Sequence, residues 1–305
     1  MKLGFLTVPF GDWPLERVAR FAKENGFETL EVACWPRASG DARRYAGVTH
    51  IDVDRLDDRA AAEIGGMLAD LGIEISGLGY YPNNLHPDPR HRAAVNEHTR
   101  KVIRAAARLG VPVVNTFIGR DKDRSHPENM EEVRKVWPGI VAEAESLGVK
   151  VAIENCPMIF SLDEWPGGVN LAYSPAIWRE LFELIPSSAF GLNLDPSHLV
   201  WQMIDYERAV YEFADRIHHV HAKDLEVRRD GLYDHGVMSL GMGWQVPRLP
   251  GLGEVRWDRF LAALYAAGYD GAIVIEHEDR GFEGSEEAII RGFRLARDVL
   301  RPLIV

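Results

Sequence analysis

Apolar residues fall into two alternating rhythms along this chain. In Leu15 to Lys23, Arg92 to Arg108, Glu131 to Leu147 and Glu286 to Leu300 they recur every three or four residues, which lines up one face of a helix. Elsewhere they form short unbroken runs, too brief for a helix and right for a strand buried on both faces. A repeated phrase joins the two rhythms: a helical stretch closes on a small or polar residue, a glycine follows, and an apolar run begins. It occurs five times, as ENGFETLEVA at Gly26, DLGIEISGLG at Gly72, RLGVPVVNTF at Gly110, SLGVKVAIEN at Gly148 and AAGYDGAIVIEH at Gly268. Glycine just past a helix accepts the left-handed conformation that ends it, so each copy reads as an αβ junction.

Extending the alternation predicts strands near 3–8, 27–33, 73–79, 112–118, 150–154, 190–195, 217–222 and 271–276, with helical segments between them. Eight such pairs imply a parallel sheet. In a chain of 305 residues they favour an α/β fold closed into one (β/α)8 barrel domain over 1–305, with an open sheet as the alternative. The first predicted strand runs into TVPFGDWP rather than a glycine-rich dinucleotide turn, which counts against the open form. Two connections, 34–56 and 223–256, are long and follow strand ends, the face where such barrels carry their sites. For 34–56 a contact between subunits is an equal reading.

The strand ends carry the candidate chemistry. VKVAIEN ends in Glu154, FGLNLD in Asp195, IHHVHAKD near His221 and AIVIEHED in Glu276. An ionised carboxylate is costly to bury alone, and one divalent ion would neutralise three at once. Ion pairs at a barrel rim would explain any one of these residues but not four at matching positions. Three carboxylates and an imidazole suit Mn2+ first, with Mg2+, Co2+ and Zn2+ as alternatives. Around them, His198 in DPSH is a residue turned back over the mouth or a packed histidine. Lys223 and Asp224 in HAKD orient a ligand, bind a hydroxyl, or pair with each other. Arg248 in RLPGLGEVRW is a hydroxyl or anion clamp or a solvated loop charge, and Glu31 and Asn115 are further mouth candidates. His218 and His219 belong to the seventh strand, one facing in and one out. Cys156, Trp35, Tyr80, Tyr81, Trp137 and Trp165 line a pocket or pack the rim.

Composition narrows the partners. With 35 basic and 46 acidic residues the net charge of −11 opposes phosphate backbones and anionic membranes. No run reaches the roughly 18 apolar residues of a membrane span, and the N-terminal MKLGFLTVPFGDWP lacks a signal core. Cys34 and Cys156 stand in unlike contexts and imply neither a disulfide framework nor a thiolate zinc site. The expectation is a cytoplasmic protein whose partner is a small carbohydrate, not nucleic acid or membrane.

IEN with Glu154, LDPSH with Asp195 and His198, HVHAKD with His221, PGLGEVRW, and GYDGAIVIEHED with Glu276 together resemble the xylose isomerase-like TIM barrels. These are the sugar phosphate isomerase/epimerase proteins, which include ketose 3-epimerases and inosose-processing enzymes. The resemblance covers essentially the whole chain. It implies that Glu154, Asp195, His221 and Glu276 bind one divalent metal and that His198 contacts substrate. Two departures stand out: NCPMIF at 155–160 where ketose 3-epimerases place a second glutamate, and Val227 where they place an arginine, for which Arg228 and Arg248 are substitutes.

The expected activity is therefore a metal-dependent isomerase or epimerase of a sugar or keto-sugar. Glu154 and Glu276 exchange a proton next to a carbonyl, and the metal stabilises the enediolate. The alternative is a lyase or dehydratase acting on a 3-keto-glycoside or keto-inositol. Less favoured are an abasic-site endonuclease, against which the acidic charge argues, and a non-catalytic sugar-binding protein. The resemblance also implies a homo-oligomer, with a heteromer containing a small subunit left open.

Overall fold

The computed structural model describes residues 1–37, 47–159 and 168–304. Eight strands, β1 (Lys2–Leu6), β2 (Thr29–Ala33), β3 (Glu74–Gly79), β4 (Val113–Thr116), β5 (Lys150–Glu154), β6 (Phe190–Leu194), β7 (Ile217–Ala222) and β10 (Ala272–Ile275), pair in parallel and close into a barrel. The ring runs β1, β10, β7, β6, β5, β4, β3, β2, with Phe5 opposite Ile275 at the closure. Every residue of β2 and of β6 is buried, as strands with a packed barrel interior on one side and helices on the other require. The five junction glycines all take positive φ, between 67° and 81°.

The helices α1 (Leu15–Glu24), α2 (Asp58–Leu71), α3 (Pro89–Leu109), α4 (His126–Ser146), α5 (Pro175–Leu184), α6 (Pro196–Trp201), α7 (Tyr206–Glu212), α8 (Arg229–His235), α9 (Trp257–Ala266) and α10 (Glu286–Leu300) follow in chain order. Aromatic packing joins the first and last units. Phe5 of β1 meets Phe27 edge-on at 5.0 Å and Phe293 of α10 at 4.7 Å, so the chain ends are held together by the same core that fills the space under α1. Among the described residues, no helix is long and apolar enough to cross a membrane.

The eight predicted strands all occur, some shorter than expected. β1 stops at Leu6 because Val8–Phe10, with its proline, turns into a short 3-10 helix. Of the long connection at 34–56, residues 38–46 lie outside the described part of the chain, as does Trp165. The connection at 223–256 has its own structure: β8 (Asp224–Val227) and β9 (Gln245–Arg248) form an antiparallel ribbon, with α8 between them.

Asp224 holds that ribbon down. Fully buried, its carboxylate accepts from the backbone of Leu225, Gly251 and Val255 at 2.8–2.9 Å and from the Trp257 indole at 2.9 Å. A side chain on Gly253 would strike the same carboxylate 2.3 Å away, which explains the second glycine of PGLGEV. Replacing Asp224 by alanine strands four donors and is expected to cost at least about 3 kcal/mol, with asparagine costing less. The midpoint of urea unfolding measures both.

Candidate active site

The two strand-end motifs on β5 and β6 are locked to each other. Past the end of β5, the Asn155 amide donates to the Asp195 carbonyl at 2.9 Å and accepts from the Asp195 N–H at 2.8 Å. Asp195 then caps α6: one carboxylate oxygen takes the Ser197 N–H at 2.8 Å, and Pro196 occupies the first helical position. Three residues on, the helix brings His198 back over the mouth. Its Nε2 stands 3.2 Å from the other Asp195 oxygen and 3.6 Å from Glu154 Oε1. Asn170 supports the same strand end by donating to the carbonyls of Glu154 and Cys156.

From β7, His221 turns Nδ1 toward Glu276, at 3.2 Å, and Glu154, at 3.6 Å. Lys223, two residues on and almost fully buried, projects into the same space. Its ammonium lies 2.6 Å from Glu276, 3.1 Å from Asp195, 3.2 Å from Glu278 and 4.0 Å from Glu154. Burial works against the lysine charge, but the four carboxylates outweigh it and hold the pKa well above the ordinary value. Burial likewise opposes the charge of Glu154, and its contacts with His198, His221 and Lys223 hold it well below the ordinary range. Glu278 goes the other way: burial, with Glu276 and Glu154 nearby, raises its pKa despite Lys223.

Beneath this cage lies a second layer drawn from four strands. Glu31 on β2 accepts at 2.8 Å from Nε2 of His221, the nitrogen facing away from the cage, and also takes the Tyr81 hydroxyl. Tyr81 in turn sits 3.1 Å from the same nitrogen and receives the Asn193 amide at 3.2 Å. Asn193 meets His219 Nδ1, and Ser76 meets its Nε2, each at 3.2 Å. Burial pushes His219 down to about 4, so it is neutral at ordinary pH. Burial disfavours the Glu31 charge, yet His221 and His219 beside it keep its carboxyl below the usual range. A side chain at Gly79 would meet Glu31 Oε1 at 2.6 Å, so that glycine of β3 makes room for the carboxylate.

The donor set fits a divalent cation. Glu154 Oε1, Asp195 Oδ2, His198 Nε2 and His221 Nδ1 are buried without a hydrogen bond, and all four face the cage. Oxygen-rich ligands with imidazole suit such an ion, which would take the place of the protons that the acidic surroundings favour on His198 and His221, both raised well above the ordinary imidazole range despite burial. The four expected ligands meet as two sets rather than one ring. Atoms of Glu154, His221 and Glu276 lie within 4.8 Å of one another, and so do atoms of Glu154, Asp195 and His198. Lys223 stands between the sets. With Nδ1 aimed at the cage and Nε2 on Glu31, His221 has the carboxylate-to-histidine arrangement that orients metal ligands.

Other residues singled out in the sequence lie elsewhere. Asp224 is committed to the ribbon. Arg248 pairs with Glu226 through Nε at 2.7 Å and with Asp279 at 3.2 Å, tying β9 to the segment after β10. Asn115 is buried on β4 with both amide atoms unpartnered. Trp137 is a core residue whose indole donates to the Ile118 carbonyl at 3.0 Å. Glu278, Asn155, Asn193 and Ser76 were not singled out. For Glu278 the signal was present: two residues after Glu276 in an extended segment, alternation returns it to the same side.

The profile of the family described as xylose isomerase-like TIM barrel matches residues 19–299. The chain is 26% identical over 313 aligned residues to the uncharacterised protein YfiH of Bacillus subtilis (strain 168), covering 92% of this chain and 93% of YfiH. Among solved structures, D-psicose 3-epimerase from Clostridium cellulolyticum H10, determined with D-tagatose, superposes with a TM-score of 0.72 at 16% identity, over 100% of this chain and 99% of that one. The IolI protein with a bound zinc atom superposes with a TM-score of 0.72 at 18% identity, over 99% of each chain. At these identities the structural likeness is one of fold.

Two outcomes are expected from this geometry. Lys223→Met, studied in the presence of a chelator, loses about 3–5 kcal/mol of stability because buried carboxylates lose their shared cation, and added Mn2+ restores part of it in a denaturant titration. Glu31→Gln keeps the fold, as judged by circular dichroism, and weakens Mn2+ binding by about 10–100-fold in competition with a colorimetric chelator.

Proposed function

The chain belongs to the xylose isomerase-like TIM barrel family, and from that premise we propose that it is an isomerase or epimerase of a sugar or keto-sugar, acting with one divalent ion. The observation that carries this reading is the convergence of Glu154, Asp195, His221 and Glu276 on a buried space beside a protonated lysine. Glu154, Asp195, His221 and Glu276 would hold the ion, Mn2+ by preference, and it would supply Lewis acidity toward a substrate carbonyl oxygen.

The protein's own groups do the proton work. Glu154 and Glu276 are held ionised and come from strands separated by two others in the ring, so they flank a sugar from two directions. One, as carboxylate, removes the proton from the carbon beside the carbonyl; the other, having taken a proton from water, delivers it to the opposite face, which inverts that carbon while the first gives its proton back to water. Return to the neighbouring carbon, with the hydroxyl proton moved to the carbonyl oxygen, exchanges aldose and ketose. Lys223 places a fixed positive charge beside these carboxylates, where negative charge develops on the substrate oxygens. His198, beside Asp195 in the cage, would hydrogen-bond a substrate hydroxyl.

A second reading, a lyase or dehydratase on a 3-keto-glycoside or keto-inositol, is favoured by Glu278. Burial, with Glu276 and Glu154 nearby, raises its pKa despite Lys223 at 3.2 Å, the direction that suits an acid to a departing oxygen. Of the neighbours named above, D-psicose 3-epimerase accords with sugar chemistry and the zinc-bound IolI protein with a metal site.

Glu154→Gln and Glu276→Gln are each expected to lower turnover by about 10²–10⁴-fold while remaining folded. Proton NMR in D2O on Mn2+-loaded protein, with ketoses, keto-inositols and 3-keto-glycosides, follows deuterium entering next to the carbonyl. Full exchange in both variants would refute the assignment, and a released aglycone or new unsaturation would select the lyase reading.

A further inference from the structure

The carboxylate cage is not the only space on this face of the barrel. A cavity of about 270 Å³ opens beside it, walled mainly by Trp201, Trp244, Tyr173, Met203, Leu240 and Pro157. These walls leave the strand ends that carry the cage. Pro157 follows Glu154 by three residues, Trp201 ends the helix that Asp195 caps, and Trp244 precedes the ribbon strand that Asp224 anchors opposite. Gln202, which also lines the cavity, donates its amide to the His198 carbonyl at 2.7 Å, so cavity and cage share a wall. Across six residues of helix, Trp201 stands about 9 Å from Asp195 along the axis, a sugar's length away.

The lining is aromatic and apolar, unlike the charged cage. Trp201 and Trp244 meet edge to face at 6.2 Å, and Met203 stands at the rim, 80% exposed. A free sugar bound in the cage has no use for such a surface. Its polar groups are turned elsewhere: the Gln202 amide goes to the His198 carbonyl, and the Trp244 indole N–H goes to Ser239 at 2.9 Å. A dry cavity of about 150 Å³ accepts a benzene ring, so this one has room for a larger planar group.

We propose that the substrate is a sugar carrying an aromatic substituent, with the sugar ring in the cage and the aromatic group in the neighbouring cavity, packed against Trp201 and Trp244. This rests on the reading of the cage as the sugar site, and it adds a second subsite that sets specificity.

The test uses the full-length protein and three probes, 4-nitrophenyl β-D-glucopyranoside, methyl β-D-glucopyranoside and 4-nitrophenol, titrated calorimetrically with Mn2+ present and again after chelation. The aryl glucoside is expected to bind at least about tenfold tighter than the methyl glucoside. Trp201→Ala should abolish that preference. Met203→Glu, a change at an exposed position that cannot disturb the core, should reduce it severalfold. Aryl preference and 4-nitrophenol binding that survive chelation support the subsite even where the sugar exchange chemistry fails. Equal binding of the two glucosides, or a preference unmoved by both substitutions, overturns the subsite and leaves the cage reading intact.

Discussion

The site is organised by the cost of holding several carboxylates together out of water. Glu154, Asp195 and Glu276 converge at the barrel mouth, each on its own strand end and each mostly or wholly buried. Lys223 answers part of that charge from within, and the rest of the arrangement supports the residues that remain. Asn155 and Asn170 fix the backbones of the carboxylate-bearing strand ends. Glu31 fixes the far side of His221, and Tyr81 fixes Glu31. Such a cluster persists only if its members have nowhere else to go, and a closed barrel whose strands all end at one face provides that confinement.

Much of this was legible in the chain. The αβ junctions could be read because one residue type, glycine, answers one local need. The strand ends could be read because buried parallel strands are unbroken apolar runs, so a charged residue at their close stands out. Glu154, Asp195, His221 and Glu276 were visible for that reason. The layer beneath was not. Glu31, Asn193 and His219 lie on three strands and Tyr81 just past the end of β3, and their association depends on barrel closure and register rather than on spacing. Glu31 and Tyr81 appeared only as isolated candidates, without the hydrogen bond that relates them. The ribbon was missed because its two strands are four residues each and are paired across an intervening helix.

Adjacent residues in HAKD divide their labour through strand geometry. Successive side chains leave an extended backbone on opposite sides, so Lys223 enters the cage and Asp224 enters the base of the ribbon. The sequence reading left them free to pair with each other, but that same alternation separates them. It also couples the two regions, since any shift that carries the ribbon away from the barrel pulls on the residue next to the cage lysine. PGLGEV belongs to the same unit: its glycines let the chain close over Asp224.

Asp195 uses its two oxygens for different purposes, one capping α6 and the other facing the cage. The short helix is thereby fixed at its first turn to the cage and carries Trp201 at its last. It behaves as a ruler. Adding one residue within it would swing the indole by about 100° and advance it by about 1.5 Å, while leaving every carboxylate in place. Under the proposed reading, relatives that differ in the length of this one helix would keep the cage and measure out a different molecule.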